Sequence, residues 1–248
     1  MTSAPLLYVC VRPQQGAAAA EYESFRAATH LGSDQIHKLD LVRDPLPADV
    51  FERYGGFLIG GSPFNVTDPE SSKTEVQRRL EQDLKRIAAA ALARTTAAMF
   101  TCYGIGVVGR LLEGEVSRAY PEDTGPVAVE LTAEGHADPV FGGLARRFTA
   151  LTAHKEGSAV APPGAVLLAT NAGCPVQAYR VGDRLYATQF HPEPTTRAFT
   201  ERMAVYRDDG YFAADEYDVV AGRVLAASVT EPVRVLRAFA KIFGPDAD

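Results

Sequence analysis

One cysteine, in Thr101-Cys102-Tyr103-Gly104, stands between the apolar run Ala97-Ala98-Met99-Phe100 and a helical pattern. Well downstream comes Gln189-Phe190-His191-Pro192-Glu193. A cysteine at a strand-to-helix turn holds its sulfur beside the free backbone N–H groups of a helix N-terminus. Such groups stabilise a thiolate and, during a reaction, an oxyanion. A histidine followed two residues later by a carboxylate supplies a base and a group to orient it. In the order Cys102, His191, Glu193, these residues suit acyl transfer through a cysteine nucleophile. Gly60-Gly61-Ser62-Pro63 adds a sharp loop without bulky side chains, able to bring a backbone donor close to a reacting atom.

Alternating strand-like and helix-like segments must position these groups, and they predict an α/β fold with a mostly parallel sheet flanked by helices. Leu6 to Val11 is a continuous apolar run, as a buried first strand requires. Ala17 to Leu31 is helix-like, Gln35 to Leu41 alternates, and Phe57-Leu58-Ile59 is a short strand ending at the glycine loop. Ser72 with Glu75 forms a capping box ahead of Val76, Leu80, Leu84, Ile87 and Ala91, whose spacing puts them on one helical face. Ala97 to Phe100 delivers Cys102, and Val107, Val108, Leu111 and Leu112 continue as the helix behind it. Short strands are expected at 126–131, 148–151, 165–170, 176–181 and 185–190, with a hairpin turn at Val181-Gly182-Asp183-Arg184. Residues 1–195 read as one domain and 196–248 as a helical C-terminal extension of it. Leu225, Val229, Val233, Leu236, Ala240 and Phe243 give that extension an apolar face, and no catalytic side chain is expected from it.

The 248 residues, 46% of them hydrophobic, suit one substantial core. A net charge of −6 with only short basic pairs offers no general attraction for nucleic acid. No stretch approaches a membrane span or a signal-peptide core, so a cytoplasmic location is expected. Three cysteines are no disulfide framework, and no histidine–cysteine spacing suggests zinc or another metal. Cys10 reads as core and Cys174, before a proline, as structural. His30, His37 and His136 carry no functional signal.

Gly61-Ser62-Pro63, Cys102-Tyr103-Gly104 and Gln189-Phe190-His191-Pro192-Glu193, in this order and spacing, resemble class I glutamine amidotransferases, most closely the glutaminase domain of GMP synthase. Cys174 to Arg180 is also similar to the strand before the histidine motif in that group. The resemblance spans residues 5 to 195 and implies a flavodoxin-like fold of the class I glutamine amidotransferase type. The reaction it implies is hydrolysis of the glutamine side-chain amide through a γ-glutamyl thioester, with ammonia passed to an acceptor, and it needs no cofactor. Cys102 would be the nucleophile, His191 the base and then acid, and Glu193 the group that orients and stabilises the imidazolium. The backbone N–H groups of Tyr103 and Ser62 would hold the oxyanion. Ser62 matches the second glycine of the family's Gly-Gly-Pro loop. His154, in Leu151-Thr152-Ala153-His154-Lys155-Glu156, resembles the family's Ser-His-x-Asp stretch. It either lines the glutamine pocket, contacts a partner, or sits exposed in a loop.

Two positions depart from the family pattern Gly-x-Cys-x-Gly-x-Gln. Phe100 stands where a small residue is usual, and Gly106 stands where a glutamine helps bind substrate. Gly104 and Gly106 together are expected to leave space beside the sulfur for a larger γ-glutamyl group. Three functions follow. The first is a glutaminase serving a synthetase or other acceptor-enzyme partner, since this length leaves no room for a synthetase domain and shows no Gly-rich phosphate loop. The second is a stand-alone hydrolase or transferase of γ-glutamyl peptides or conjugates. The third is a regulatory relative without turnover. The substrate is a small molecule in the first two. The sequence does not fix an oligomeric state.

Overall fold

The computed structural model describes residues 4–208 and 210–245. Its elements run β1 (Leu6–Cys10), α1 (Gln15–Thr29), β2 (Ile36–Asp40), α2 (Val50–Arg53), β3 (Gly56–Ile59), α3 (Glu75–Leu92), β4 (Ala97–Thr101) and α4 (Tyr103–Leu111). They continue with β5 (Glu122–Leu131), α5 (Ala133–Ala137), β6 (Arg147–His154), β7 (Ala165–Thr170), β8 (Ala178–Val181) and β9 (Leu185–Thr188). Helices α6 (Thr196–Val205), α7 (Tyr217–Ala226) and α8 (Val233–Phe243) follow, with a single 3-10 turn at Ala214–Glu216.

Among the described residues, nine strands form one sheet in the order β2-β1-β3-β4-β9-β8-β7-β5-β6. The pairings from β2 through β9 are parallel, and those from β9 through β6 are antiparallel. The parallel half carries the flavodoxin-like order, in which ligands gather beyond the carboxyl ends of the strands. Alternation along β1 explains the layering. Leu6, Tyr8 and Cys10 join the core under α1 and α8, while Leu7, Val9 and Val11 join the core under α3 and α4. A third, smaller cluster joins Phe199 and Met203 of α6 and Val220 and Val224 of α7 to Leu151 of β6. The β8–β9 hairpin closes where expected, with Val181 paired to Leu185 and Gly182 at φ 61°.

Several local expectations need correcting. Thr74, not Ser72, caps α3, its side chain accepting from the Gln77 N–H at 3.1 Å. Ser72 instead donates to the Pro69 carbonyl, so the chain is still turning there. The apolar face of α3 holds, with Leu80, Leu84, Ile87 and Ala91 buried. In the extension, Leu236 and Ala240 are buried, but Leu225 is 54% exposed. It lies on the outer side of α7, whose buried residues are Val220, Ala221 and Val224.

Candidate active site

The side chains singled out by the sequence converge beyond the carboxyl ends of β1, β3, β4 and β9. Each strand end brings one piece: Arg12 after β1, Gly60-Gly61-Ser62 after β3, Cys102 after β4 and His191 after β9. Cys102 is the N-cap of α4 with φ 50° and ψ −103°, a positive-φ conformation that costs a residue with a β-carbon about 1–3 kcal/mol. The surroundings hold it there. The Cys102 N–H donates to the Thr188 carbonyl at 2.8 Å, and Thr101 Oγ1 donates to the Ile59 carbonyl at 2.8 Å. This is a strand–elbow–helix turn that lifts the sulfur out of the sheet and over the first N–H groups of α4. The Tyr103 N–H lies in that first turn. Ser62 lines the same cavity as Cys102, its hydroxyl donating to the Val11 carbonyl at 2.8 Å.

Phe100 and Gly104 explain one another. A β-carbon at Gly104 would lie 3.0 Å from both Cβ and Cδ1 of Phe100. The large residue before the elbow therefore fills the space that the glycine vacates, and Gly104 leaves no extra room beside the sulfur. That corrects the expectation of a space shared by Gly104 and Gly106. Gly106 does face a pocket, although a β-carbon there would meet Val66 Cγ2 at 3.0 Å and Glu156 Oε1 at 3.3 Å.

His191 Nδ1 lies 3.1 Å from Glu193 Oε1, and its other face is engaged with Cys102. Burial works against an imidazolium here, but Glu193 and Cys102 outweigh it and push the His191 pKa up to about 9. Burial likewise opposes the Glu193 carboxylate, and His191 with Arg202 overcomes that, holding its pKa far below the usual carboxylate range. Arg202 Nη1 donates to Glu193 Oε1 at 2.6 Å and to Glu21 Oε1 at 3.3 Å. Glu21, fully buried on α1, also accepts from Arg12, from the Tyr8 hydroxyl at 2.7 Å and from the Gly61 N–H at 3.2 Å. Arg12 in turn donates to the Tyr206 hydroxyl at 3.0 Å. The base is thus anchored to a buried, charge-alternating chain of Glu193, Arg202, Glu21 and Arg12. Removing one member of such a set strands the others in low dielectric.

Two cavities meet at Cys102. The first is lined among others by Ser62, Tyr103, Gly106, His154, Glu156 and Gln189. His154 is buried, not a solvent-exposed loop residue: it ends β6, with Nε2 2.8 Å from Glu122 Oε2 and Nδ1 2.8 Å from the Glu156 carbonyl. Burial works against the Glu122 carboxylate, but hydrogen bonds from His154, Asn171 and Gln177 hold its pKa below the usual value. Glu156 accepts from the N–H groups of Val66 and Thr67, yet burial prevails and raises its pKa. The second cavity is lined by residues that include Arg12, His191, Arg202, Met203, Tyr206 and Phe212. Ser62, Cys102, Ala153 and Tyr211 border both.

The sequence reading missed Arg12, Glu21, Glu122, Glu156, Arg202 and Tyr206. A signal existed for Glu21, a carboxylate among Ala17, Ala18, Phe25 and Ala28 on the buried face of α1. The expectation that the extension stays away from the chemistry fails at α6, where Arg202 and Tyr206 lie one turn apart along the cavity wall. Among the described residues, Glu21, His191 and Glu193 form one cluster with metal-ligand spacing, and Glu122, His154 and Cys174 form another. In both, the carboxylates already accept hydrogen bonds from protein donors, and burial pushes the Cys174 thiol up to about 11, away from the thiolate a metal needs. Cys10 and Cys174 are buried.

This architecture, a cysteine at a strained strand–helix elbow with a buried His–Glu pair on a mixed nine-stranded sheet, can support nucleophilic acyl transfer. A model of the glutamine amidotransferase class-I family matches residues 28–205, and the chain belongs to that family. It is 27% identical over 172 residues to the glutamine-hydrolyzing GMP synthase of Aeropyrum pernix, a match covering 66% of this chain and 30% of the relative. It is 32% identical over 109 residues to a glutamine-hydrolyzing GMP synthase subunit from Thermococcus kodakarensis, covering 43% of this chain and 55% of that one. The matches therefore span only part of the relatives' length. A glutamine amidotransferase structure from Thermotoga maritima superposes with a TM-score of 0.75 at 16% identity, covering 98% of this chain and 99% of that one. The fold is that of these proteins, with the C-terminal helices included. Among the described residues, no helix is long and apolar enough to cross a membrane.

Proposed function

We propose that the protein hydrolyses the side-chain amide of glutamine through a γ-glutamyl thioester on Cys102 and passes the ammonia to an acceptor enzyme. The observation that carries this reading is the Cys102 elbow, with His191 against its sulfur and Glu193 behind the ring. Attack by the sulfur on the amide carbon gives a tetrahedral oxyanion, for which the N–H groups of Tyr103 and Ser62 are the donors. Losing one such donor typically costs roughly 10²- to 10³-fold in rate. His191, whose raised pKa leaves it protonated near neutrality, hands its proton to the departing nitrogen and then, as the neutral base, activates the water that releases glutamate. The glutamyl chain occupies the first cavity, where His154 and Glu156 form the wall and Gly106 contributes no side-chain amide.

Relatives named as GMP synthases, one of them as a GMP synthase subunit, support glutamine as substrate and a separate synthetase-type partner as ammonia acceptor. No phosphate-binding loop or metal is required of this chain for the glutaminase step. The test is glutamate release from L-glutamine by the wild-type protein, with a γ-glutamyl adduct trapped on Cys102 by acid quench and intact mass. Both signals should vanish in Cys102→Ser. A wild-type protein that releases glutamate with no adduct, or a Cys102→Ser protein that keeps full turnover, would refute the mechanism.

A further inference from the structure

Glu21 lines neither cavity and is fully buried on α1, where a carboxylate is costly unless donors meet it. Four segments supply them. Oε2 accepts from the Tyr8 hydroxyl on β1 at 2.7 Å. Oε1 accepts from Arg12 at 2.9 Å, from Arg202 on α6 at 3.3 Å and from the Gly61 N–H at 3.2 Å. Two of these bonds lead to the Cys102 centre by separate routes. Through Arg202 the route reaches Glu193 at 2.6 Å and then His191 at 3.1 Å. An oxygen of Glu21, an oxygen of Glu193 and a His191 ring nitrogen all lie within 4.8 Å of one another. Through Gly61 the route reaches the next residue, Ser62, whose N–H is the oxyanion donor proposed above. Only glycines permit this closeness: a β-carbon at Gly60 would collide with Glu21 Oε2, and one at Gly61 would lie 2.7 Å from Arg12 Nη2 and 2.8 Å from His191 Cε1. Three successive pins fix the loop. The Gly60 N–H donates to the Val9 carbonyl at 3.1 Å, the Gly61 N–H to Glu21, and the Ser62 hydroxyl to the Val11 carbonyl at 2.8 Å. The outer two end on backbone next to or within β1. The middle one ends on a side chain that also holds the partner of the base.

We propose that Glu21 is a positioning residue that sets the oxyanion loop and the His191–Glu193 pair in register with each other. The inference rests on the cysteinyl thioester and the Ser62 donor proposed above. An oxyanion donor accelerates the reaction only when it is already held where the charge develops. A glycine pair has no side chains to hold itself, so the constraint comes from a neighbour. Glu21 provides it through the Gly61 N–H and, with its remaining bond to Arg202, fixes the carboxylate behind the imidazole.

Two variants separate the two routes. Glu21→Asp keeps the charge but draws it back by one methylene; the long arginines can follow it, whereas the Gly61 N–H, pinned on either side, cannot. Glu21→Gln keeps the reach and an acceptor for Gly61 but removes the charge, leaving Arg12 and Arg202 with Glu193 as the nearby carboxylate. Two reactions of Cys102 are timed by intact mass: acylation by glutamine, and alkylation by iodoacetamide, which needs a thiolate but no oxyanion donor. In Glu21→Asp, acylation should slow by about 10²-fold while alkylation stays within about threefold of wild type. In the same variant kcat should fall with KM little changed, because Glu21 touches no cavity wall. In Glu21→Gln both reactions should slow together, by about tenfold, with their ratio preserved. Parallel loss of both reactions in Glu21→Asp, or a raised KM at unchanged kcat, would overturn the inference. The wild type supplies a further test that needs no variant to fold: its Gly61 amide should exchange slowly with solvent, and exchange at the rate of an open loop would refute the pin. A wild type that glutamine does not acylate would sink the thioester reading, and this inference with it. A wild type that is acylated normally, with Glu21→Asp matching it, would sink the role of Glu21 alone.

Discussion

Replacing Glu193 with glutamine should uncouple His191 from the charge that sets its protonation. In the wild type, burial disfavours the imidazolium and the Glu193 carboxylate more than compensates, so the ring titrates at about 9. Glu193→Gln retains an acceptor for Arg202 Nη1 and for the ring but removes the negative charge. Burial then acts with less opposition, beside an Arg202 cation that has lost one of its two carboxylate partners. The ring should titrate at or below its ordinary value of roughly 6.5, a fall of about 2.5 units or ~3.4 kcal/mol. At about pH 7.5 the cationic fraction would drop from roughly 97% to roughly 10%. The assay is the titration of the His191 ring itself, followed by its ring-proton NMR shifts against pH. The wild-type inflection should lie near 9. In Glu193→Gln it should move down by about two units or more. An inflection that stays near 9 in the variant would show that Glu193 does not hold the charge on His191.

Folding stability should follow the same group. His191 has a raised pKa in the folded state, so its contribution is complete below about 6.5 and is lost as pH climbs through about 9; chemical denaturation across that window should show wild type weakening more than Glu193→Gln. A glutamine-mimicking electrophile should label Cys102 and spare Cys10 and Cys174, because Cys10 is fully buried and the Cys174 thiol titrates at about 11; peptide mapping that finds the label on Cys174 would contradict this. Gly104→Ala should cost about 1–3 kcal/mol in thermal or denaturant unfolding, since its β-carbon meets Phe100 at 3.0 Å, and Phe100→Ala in the same chain should relieve the clash. Gly106→Gln should lower KM for glutamine by roughly threefold to tenfold only when Val66→Ala makes room for the new β-carbon, as initial-rate kinetics would show.

The elbow, the His–x–Glu pair and the strands that carry them were legible in the sequence because each depends on neighbours in the chain. A strand of four apolar residues, a turn, and a helical stripe require no tertiary knowledge to read. The antiparallel half was visible as short strands, but its pairing order was not, since β7 joins β5 across the long stretch of chain that holds α5 and β6. Glu21, Arg12 and Arg202 escaped because their meaning lies in meeting one another, and nothing in the local pattern of α6 distinguishes Arg202 from a solvated arginine. His154 was recognised by motif, but only Glu122, thirty-two residues earlier, explains why it is buried. The space attributed to Gly104 failed for a different reason: Phe100 stood out as unusual at its position, yet only the packed elbow shows that its ring takes up that space.

The charge chain behind His191 runs from the first strand–helix unit to α6, so it ties the beginning of the fold to nearly its end. Arg202 is the one cation among the described residues that bonds both Glu21 and Glu193, while Arg12 bonds Glu21 alone, so undocking α6 would leave the Glu193 carboxylate buried with only His191 to offset it. The last helices and the nucleophile's base therefore belong to one cooperative unit, and truncating the chain before α6 would disturb the site as well as the packing.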